Sequence, residues 1–474
     1  MMKTRELKEL FIINYSLLII LASCSVSKQI AKQADTILLK DSSISTGFIG
    51  ISIYEPATGK YWYNYNAMKN FIPASNTKLF SLYAGMKYLG DSLTGIYYQD
   101  LSDTVINIFP TGDPSFLHED FKRHPVLDFL KGQNKTIYVA KTFTENALGL
   151  GWAWDDYNDD YMVERNPFPV YGNTLKIETK NFTYTGAFSA DINWKIIPSF
   201  FESHISNSFL LPYNYIAAFK GDSVIARKEL LNFDIIRERS TNHLNINKTS
   251  SKFTKQEIPF VTDGVNTVIE ILNSQFGLKL KPGSLSDNSL YGVTPPHSEL
   301  HKIKSQLTDS LFKPMMHRSD NFFAEQTLLM ASNERLGYMS DQAIIDTLLT
   351  TDLKDLPQRP KWVDGSGLSR YNLFTPQAFI YILNKMRNEF GMPRLKTILP
   401  TGGEGTLKSY YKKDSSFIYA KTGTLSNNCA LSGFLTTNSG KLLIFSILAN
   451  HYQTGATPIR QAVERFLTGV REKY

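Results

Sequence analysis

Three short groups of residues are able, by type and spacing, to activate a hydroxyl group. In Ser75-Asn76-Thr77-Lys78 a serine and a lysine stand three positions apart. On a helix that offset puts hydroxyl and amine on one face. A lysine drawn out of water loses its proton more readily, and the free amine can then take the proton of the serine. A helix start adds unpaired backbone N–H groups and the positive end of the dipole, both favourable to an oxyanion. The pattern alone means little, because chance supplies it in a long chain: Ser25 and Lys28 repeat it in a polar stretch. Placement separates the two. Ser75 follows Pro73 and opens an apolar run of helical spacing from Leu79 to Leu89.

The second group is Ser319-Asp320-Asn321, between two apolar helical patterns. Taken singly it reads as a cap or a turn. The third is Lys421-Thr422-Gly423-Thr424, inside a strand pattern. Lys421 is suited to an anionic group and Thr422 to a carboxylate. Gly423 has no side chain, which would let a substrate backbone approach the strand edge.

The elements that must position these groups come from both ends of the chain. Gly47–Tyr54 and Tyr61–Ala67 read as strands around a turn at Glu55–Lys60. Phe417–Leu425, Asn428–Thr437 and Lys441–Asn450 read as three more, with a hairpin turn at Asn438-Ser439-Gly440. Pro458–Leu467 reads as a closing helix, and Pro295–Asn388 as a helical region. One antiparallel sheet built from both chain ends is the expectation. The stretch 96–290 is too long for a loop. It is read as inserted domain material, two domains in number, leaving 46–95 and 291–474 as the catalytic domain.

With the three groups in this order and setting, the chain resembles the D-alanyl-D-alanine carboxypeptidase/endopeptidase family, the class C low-molecular-mass penicillin-binding proteins. Further segments carry the resemblance: Gly112-Asp113-Pro114, Gly151-Trp152-Ala153-Trp154-Asp155-Asp156, Asp364 to Asn372 (DGSGLSRYN) and Leu399–Leu407 (LPTGGEGTL). The resemblance implies an α+β, serine β-lactamase/penicillin-binding transpeptidase-like fold, an antiparallel five-stranded sheet flanked by helices with a large insert between the first and second motifs. It implies Ser75 as nucleophile and Lys78 as its base, with Ser319 relaying a proton to the leaving amine. Asn321 would position the acyl chain, Lys421 support the relay, and Thr422 bind the terminal carboxylate. The N–H groups of Ser75 and Thr424 would form the oxyanion hole. Asp155 and Arg370 would meet the ammonium and carboxylate of a diaminopimelate side chain. The implied partners are peptidoglycan stem peptides and β-lactam inhibitors. A β-lactamase or esterase on the same fold, or an inactive wall-binding lipoprotein, are the competing readings.

The N-terminus reads as an address. Lys3, Arg5 and Lys8 precede an apolar run from Phe11 to Ala22, long enough for a signal segment and short for a membrane span. Leu21-Ala22-Ser23-Cys24 resembles a bacterial lipobox, which implies removal of residues 1–23 and a lipid anchor on Cys24. The expected location is the cell envelope, facing the periplasm, with 24–45 as a polar tether. The other cysteine, Cys429, lies in an apolar strand pattern and is expected to be buried and inert. A hydrophobic share of 42% excludes wholesale disorder, and two cysteines exclude a disulfide framework. The net charge of +7 is spread along the chain without a basic, aromatic-interleaved run, so it suits cell wall or lipid head groups and not nucleic acid. His297 and His301 lack a glutamate at the zinc-peptidase position, and no metal or cofactor is expected.

Overall fold

The computed structural model describes residues 26–141, 143–206, 208–210, 223–283, 296–413 and 415–474. Cys24 and the signal segment lie outside the described residues. The chain divides into two compact units. One comprises Met1–Tyr83, Phe312–Asp320 and Ile345–Tyr474, the other Ala84–Leu311 and Asn321–Ile344.

The first unit is built on a five-stranded antiparallel sheet. Its strands are β1 (Phe48–Glu55), β2 (Lys60–Tyr65), β3 (Ile418–Leu425), β4 (Asn428–Thr436) and β5 (Leu442–Asn450), in the order β3-β4-β5-β1-β2. The two chain ends meet where β1 pairs with β5, Ile51 opposite Ile447. The β4–β5 turn closes with Gly440 at φ 81°, its N–H donating to the Thr437 carbonyl at 2.9 Å. Nearly every residue of β4 and β5 is buried, as continuous apolar runs between turn signals require of a strand covered on both faces.

A closing helix at Ala456–Lys473 covers one face. Its buried residues Ile459, Ala462, Val463, Phe466, Leu467 and Val470 recur at three- and four-residue steps, one stripe of a helix. Beside it lies a helix over 26–34 that runs into a π-helical turn, Asp35–Leu39. Here the structure corrects the expected tether. Ile30, Ala34 and Leu38 are fully buried in the same apolar cluster as β1 and the closing helix. Their spacing of four makes a narrow stripe, masked in the sequence by the polar residues between. Burying an Ile or Leu side chain contributes about 1.5–3 kcal/mol, enough to hold the segment down. The helix Pro376–Phe390 packs on β1 and β5, and Phe80, Phe374 and Phe379 fill the layer behind it, with ring centroids 4.8 to 5.7 Å apart.

The second unit holds three sheets. One is five-stranded and mixed, with Thr136–Val139 parallel to both Val105–Pro110 and Leu280–Pro282. The others are a four-stranded and a two-stranded antiparallel sheet. A single apolar cluster runs through all three, including Ile108, Ile177 and Ile235. The sheets of the insert thus share one apolar core, and the compact unit they belong to has limits other than 96–290. The difference comes from His301–Leu307, read in the sequence as helical. It is a strand paired with Ser92–Ser102, Ile303 opposite Ile96, and it draws the flanking chain into this unit.

Candidate active site

Ser75 stands in a 3-10 turn, Ala74–Thr77, that leads directly into the helix Lys78–Tyr88. Ala74 is held at φ 49°, a region that costs a non-glycine residue free energy and is found where surroundings enforce it. Lys78 is the first residue of the helix and has no solvent exposure. Its Nζ lies 2.9 Å from Ser75 Oγ and 2.7 Å from the Ser366 carbonyl oxygen. That carbonyl is presented by a loop folded around buried Asp364. The Asp364 carboxylate accepts the N–H groups of Gly367 at 2.8 Å and Ser369 at 2.7 Å, and Asn372 Nδ2 at 2.7 Å. Gly367, at φ 82°, lies against the Ala74 carbonyl, where a Cβ would collide with backbone. The loop and the turn carrying Ser75 are thus fixed to each other.

Ser319 follows the helix Thr308–His317. The Asp320 N–H donates to the Met315 carbonyl at 3.1 Å, and Ser319 itself sits at φ 64°. This is a Schellman cap, and its left-handed position usually belongs to glycine. A serine there carries backbone strain and supplies a hydroxyl at a fixed place. Lys421 Nζ lies 2.8 Å from Ser319 Oγ and 2.7 Å from the Thr422 carbonyl oxygen.

Lys421 is also fully buried. Burial, then the nearby charges of Lys78 and Arg460, push its amine well below the usual lysine range. The strand β3 that carries it is clamped to the Ser75 turn by Asn76. With the amide oriented to satisfy both ends, Asn76 Nδ2 donates to the Lys421 carbonyl at 2.7 Å and its oxygen accepts the Ser432 N–H at 3.3 Å. Gly423 lies against backbone of its own chain. A Cβ there would stand 2.6 Å from the Pro73 oxygen and 3.1 Å from the Ser75 nitrogen. The missing side chain admits the protein's own backbone, and it sets the close approach of β3 to the Ser75 turn.

The first unit therefore gathers Ser75, Lys78, Ser319, Lys421, Thr422, Gly423, Thr424 and Arg370. Thr422 Oγ1 donates to Thr406 Oγ1 at 2.8 Å, and the exposed Arg370 donates both terminal nitrogens to the Ser426 carbonyl at 3.2 Å. Asn321 and Asp155 belong to the second unit. Asn321 opens the helix Asn321–Leu336 and donates to the Tyr161 carbonyl at 2.9 Å. Asp155 is exposed in the short turn Trp154–Asp156. Cys429 is buried, and burial pushes its thiol up, against an opposing effect of Arg460. Sequence reasoning passed over Asn76, Ser366, Thr406 and Arg460, none of which has a spacing signal of its own. Among the described residues, no group of three or more His, Cys, Asp or Glu is placed to hold a metal ion, and no helix is long and apolar enough to cross a membrane.

The family model of D-Ala-D-Ala carboxypeptidase 3 (S13) matches residues 30–208 and 222–470. The chain is 22% identical to penicillin-sensitive carboxypeptidase A of Dictyostelium discoideum, over 88% of this chain and 85% of that protein. It is 24% identical to a D-alanyl-D-alanine carboxypeptidase of Actinomadura sp. strain R39, over 89% and 81%. Its fold is similar to the crystal structure of penicillin binding protein 4 (dacB) from Haemophilus influenzae, with a TM-score of 0.67 at 17% identity, covering 94% of this chain and 99% of that one.

The depressed affinity of Lys421 for its proton has a measurable consequence. An unfolded lysine titrates near 10.4. Below that pH the unfolded chain binds a proton that the folded chain binds less well, so this group's contribution to stability is full at high pH and falls as pH drops toward the folded value. Urea unfolding of wild type and Lys421→Met at pH 10 and pH 7 is expected to show the difference moving in the variant's favour at the lower pH. A difference that stays constant would mean that Lys421 titrates as an ordinary lysine.

Proposed function

The chain belongs to the D-Ala-D-Ala carboxypeptidase 3 (S13) family and is a serine-type D-Ala-D-Ala carboxypeptidase or D,D-endopeptidase of peptidoglycan stem peptides, sensitive to penicillins; we propose that Ser75 carries the acyl group. One observation supports this above the others: Ser75 and Ser319 each have a buried lysine amine within 2.9 Å, inside one compact unit.

In this reading Lys78, as the free amine, takes the proton of Ser75 as Oγ attacks the carbonyl carbon of the penultimate D-Ala. The developing oxyanion is met by the N–H groups of Ser75 and Thr424. As the tetrahedral species collapses, the C–N bond breaks, and Ser319, backed by Lys421, delivers a proton to the departing amine. Water then attacks the ester and restores Ser75. Thr422 receives the carboxylate on the leaving side. Arg370 and, separately, Asp155 are read as contacts for the free end of a diaminopimelate side chain, and Asn321 as a contact for the acyl chain. A penicillin enters by the same attack and stays because its ring cannot depart. Slow deacylation distinguishes this chain from a β-lactamase, and any covalent labelling distinguishes it from an inactive wall-binding protein.

Ser75→Ala is expected to abolish covalent labelling by a tagged penicillin while lowering stability by about 1–3 kcal/mol, the scale of leaving the buried Lys78 amine short of one hydrogen bond. A variant that still labels places the nucleophile elsewhere. Arg370→Ala and Asp155→Ala are each expected to slow turnover of diaminopimelate-containing peptides by on the order of tenfold, from losing a charged hydrogen bond of about 1.5–3 kcal/mol. A short peptide without that side chain should be turned over as before, and equal losses on both substrates would remove the assignment. The same proposal places the protein in the cell envelope, anchored by lipid on Cys24. Cys24→Ala is expected to move it to the soluble fraction with penicillin labelling intact, and a wild-type protein that takes up no labelled fatty acid would end the anchor reading.

A further inference from the structure

One end of the five-stranded sheet carries two turns side by side, because Tyr54 near the end of β1 stands opposite Ile444 near the start of β5. Lys60 follows the β1–β2 turn and Lys441 the β4–β5 turn. The Lys441 amine lies over the Trp62 ring, 5.2 Å from its centroid, and the Tyr474 ring packs edge-on against the same indole at 5.2 Å. The Tyr474 hydroxyl lies 3.4 Å from the Val26 carbonyl oxygen and 3.1 Å from Gln29 Oε1, and the Tyr474 carbonyl accepts the Ser439 N–H at 3.1 Å. These contacts bring the start of the docked helix, with Lys28, and the end of the closing helix, with Lys473, to the two turns.

Three features of this end point to a lipid surface. The first is charge. Lys28, Lys60, Lys441 and Lys473 are exposed, and among the described residues no carboxylate forms an ion pair with any of them. The acid of the β1–β2 turn, Glu55, is buried and accepts from the Thr58 hydroxyl and the Trp62 indole. In the stretches 26–29, 57–62, 438–441 and 471–474 Glu472 is the one acidic side chain. The second is position: Cys24 is two residues upstream of Val26, so a lipid on that cysteine would enter its bilayer beside these lysines. The third is the place of the reacting strand. Thr424 stands opposite Cys429, and Cys429 opposite Ala449, seven residues from Leu442 at the turn end of β5. At about 3.3 Å per residue that is roughly 23 Å, which leaves the lysine end free to meet a surface without covering Thr424.

We infer that this end of the sheet is a contact surface for anionic lipid headgroups, seated by the anchor on Cys24. Four ammonium groups spread over four separate elements match a field of phosphates and not one small anion. Their methylene stems can lie along apolar surface while the charge reaches outward, as Lys441 does over Trp62. Tyr61, 43% exposed beside Lys60, has the amphipathic ring that suits headgroup depth. The inference rests on the anchor reading above.

The test uses the full chain reconstituted on phosphatidylcholine vesicles with and without phosphatidylglycerol. Acetylation by a water-soluble reagent is read at each lysine by mass spectrometry. Phosphatidylglycerol should slow modification of Lys28, Lys60, Lys441 and Lys473 by about fivefold or more, the scale of one lysine held at an anionic surface. Lys69 should react alike on both vesicle sets, because it lies three residues from Ile72, which is bonded to Asn450 at the other end of β5. A second arm does not depend on the anchor. The Cys24→Ala chain should sediment with phosphatidylglycerol vesicles at high lipid concentration. Replacing the four lysines with glutamine should lower that partition by about fivefold per lysine and leave penicillin labelling intact. Lysines that all react alike on both vesicle sets, or a quadruple variant that partitions like its parent, would overturn the surface. A wild type that takes up no fatty acid ends the anchor reading, and the partition of the Cys24→Ala chain then decides the surface by itself.

Discussion

The structure of the first unit answers one demand: two lysine side chains, Lys78 and Lys421, have to be kept out of water near each other. Both have no exposure. A buried ammonium costs several kcal/mol unless its donors are met, and two together repel. Each amine is given one backbone carbonyl and one serine hydroxyl, Ser366 and Ser75 for Lys78, Thr422 and Ser319 for Lys421. The rest of the local architecture serves those four contacts. The Asp364 loop holds the Ser366 carbonyl, the Schellman cap holds Ser319, and Asn76 ties the Ser75 turn to β3. The strain at Ala74 and Ser319 falls where the geometry is most constrained, on the two residues that set the hydroxyls. For Lys421, burial and the neighbouring like charges push the amine down, toward the range in which it can exchange a proton.

Much of this framework was legible in the sequence because it is periodic. The five strands show continuous or alternating apolar runs bounded by turn residues, and the closing helix shows its stripe. The three motifs mark places where side-chain chemistry and secondary structure coincide. What escaped was non-periodic or depended on partners far away in the chain. His301–Leu307 alternates only weakly and becomes a strand because Ser92–Ser102 offers an edge. Asn76 looks like a spacer inside the first motif, yet it is fully buried and binds both Lys421 and Ser432. Gly423 lies close to the backbone of Pro73 and Ser75, far away in the chain, and no spacing in the sequence names those neighbours. A sequence tells that a gap exists and cannot say what fills it.

The second unit solves its own packing in a different currency. Arg237 is buried there, yet among the described residues no carboxylate is in direct contact with it. Its guanidinium donates to the carbonyl oxygens of Pro259, Glu238, Arg239 and Thr241. One side chain thus gathers the turn after Asn232–Arg237 and the end of Lys255–Pro259. A second buried guanidinium, Arg165, pairs with Asp341. Backbone that would be orphaned in irregular segments is satisfied by these two groups, and this allows an insert rich in loops to share one apolar core.

The docked helix at 26–34 fixes the position of Val26 beside the C-terminal residue. Ile30, Ala34 and Leu38 sit in the core, and the Val26 carbonyl accepts a hydrogen bond from the Tyr474 hydroxyl at 3.4 Å. Cys24 is two residues upstream of Val26. At about 3.5 Å per extended residue, a lipid on that cysteine would have a leash of roughly 7 Å. Such an enzyme could not sweep a wide radius or climb through layers of wall. Its working height above the lipid surface would be set by the dimensions of the folded body, and substrate would have to come to it.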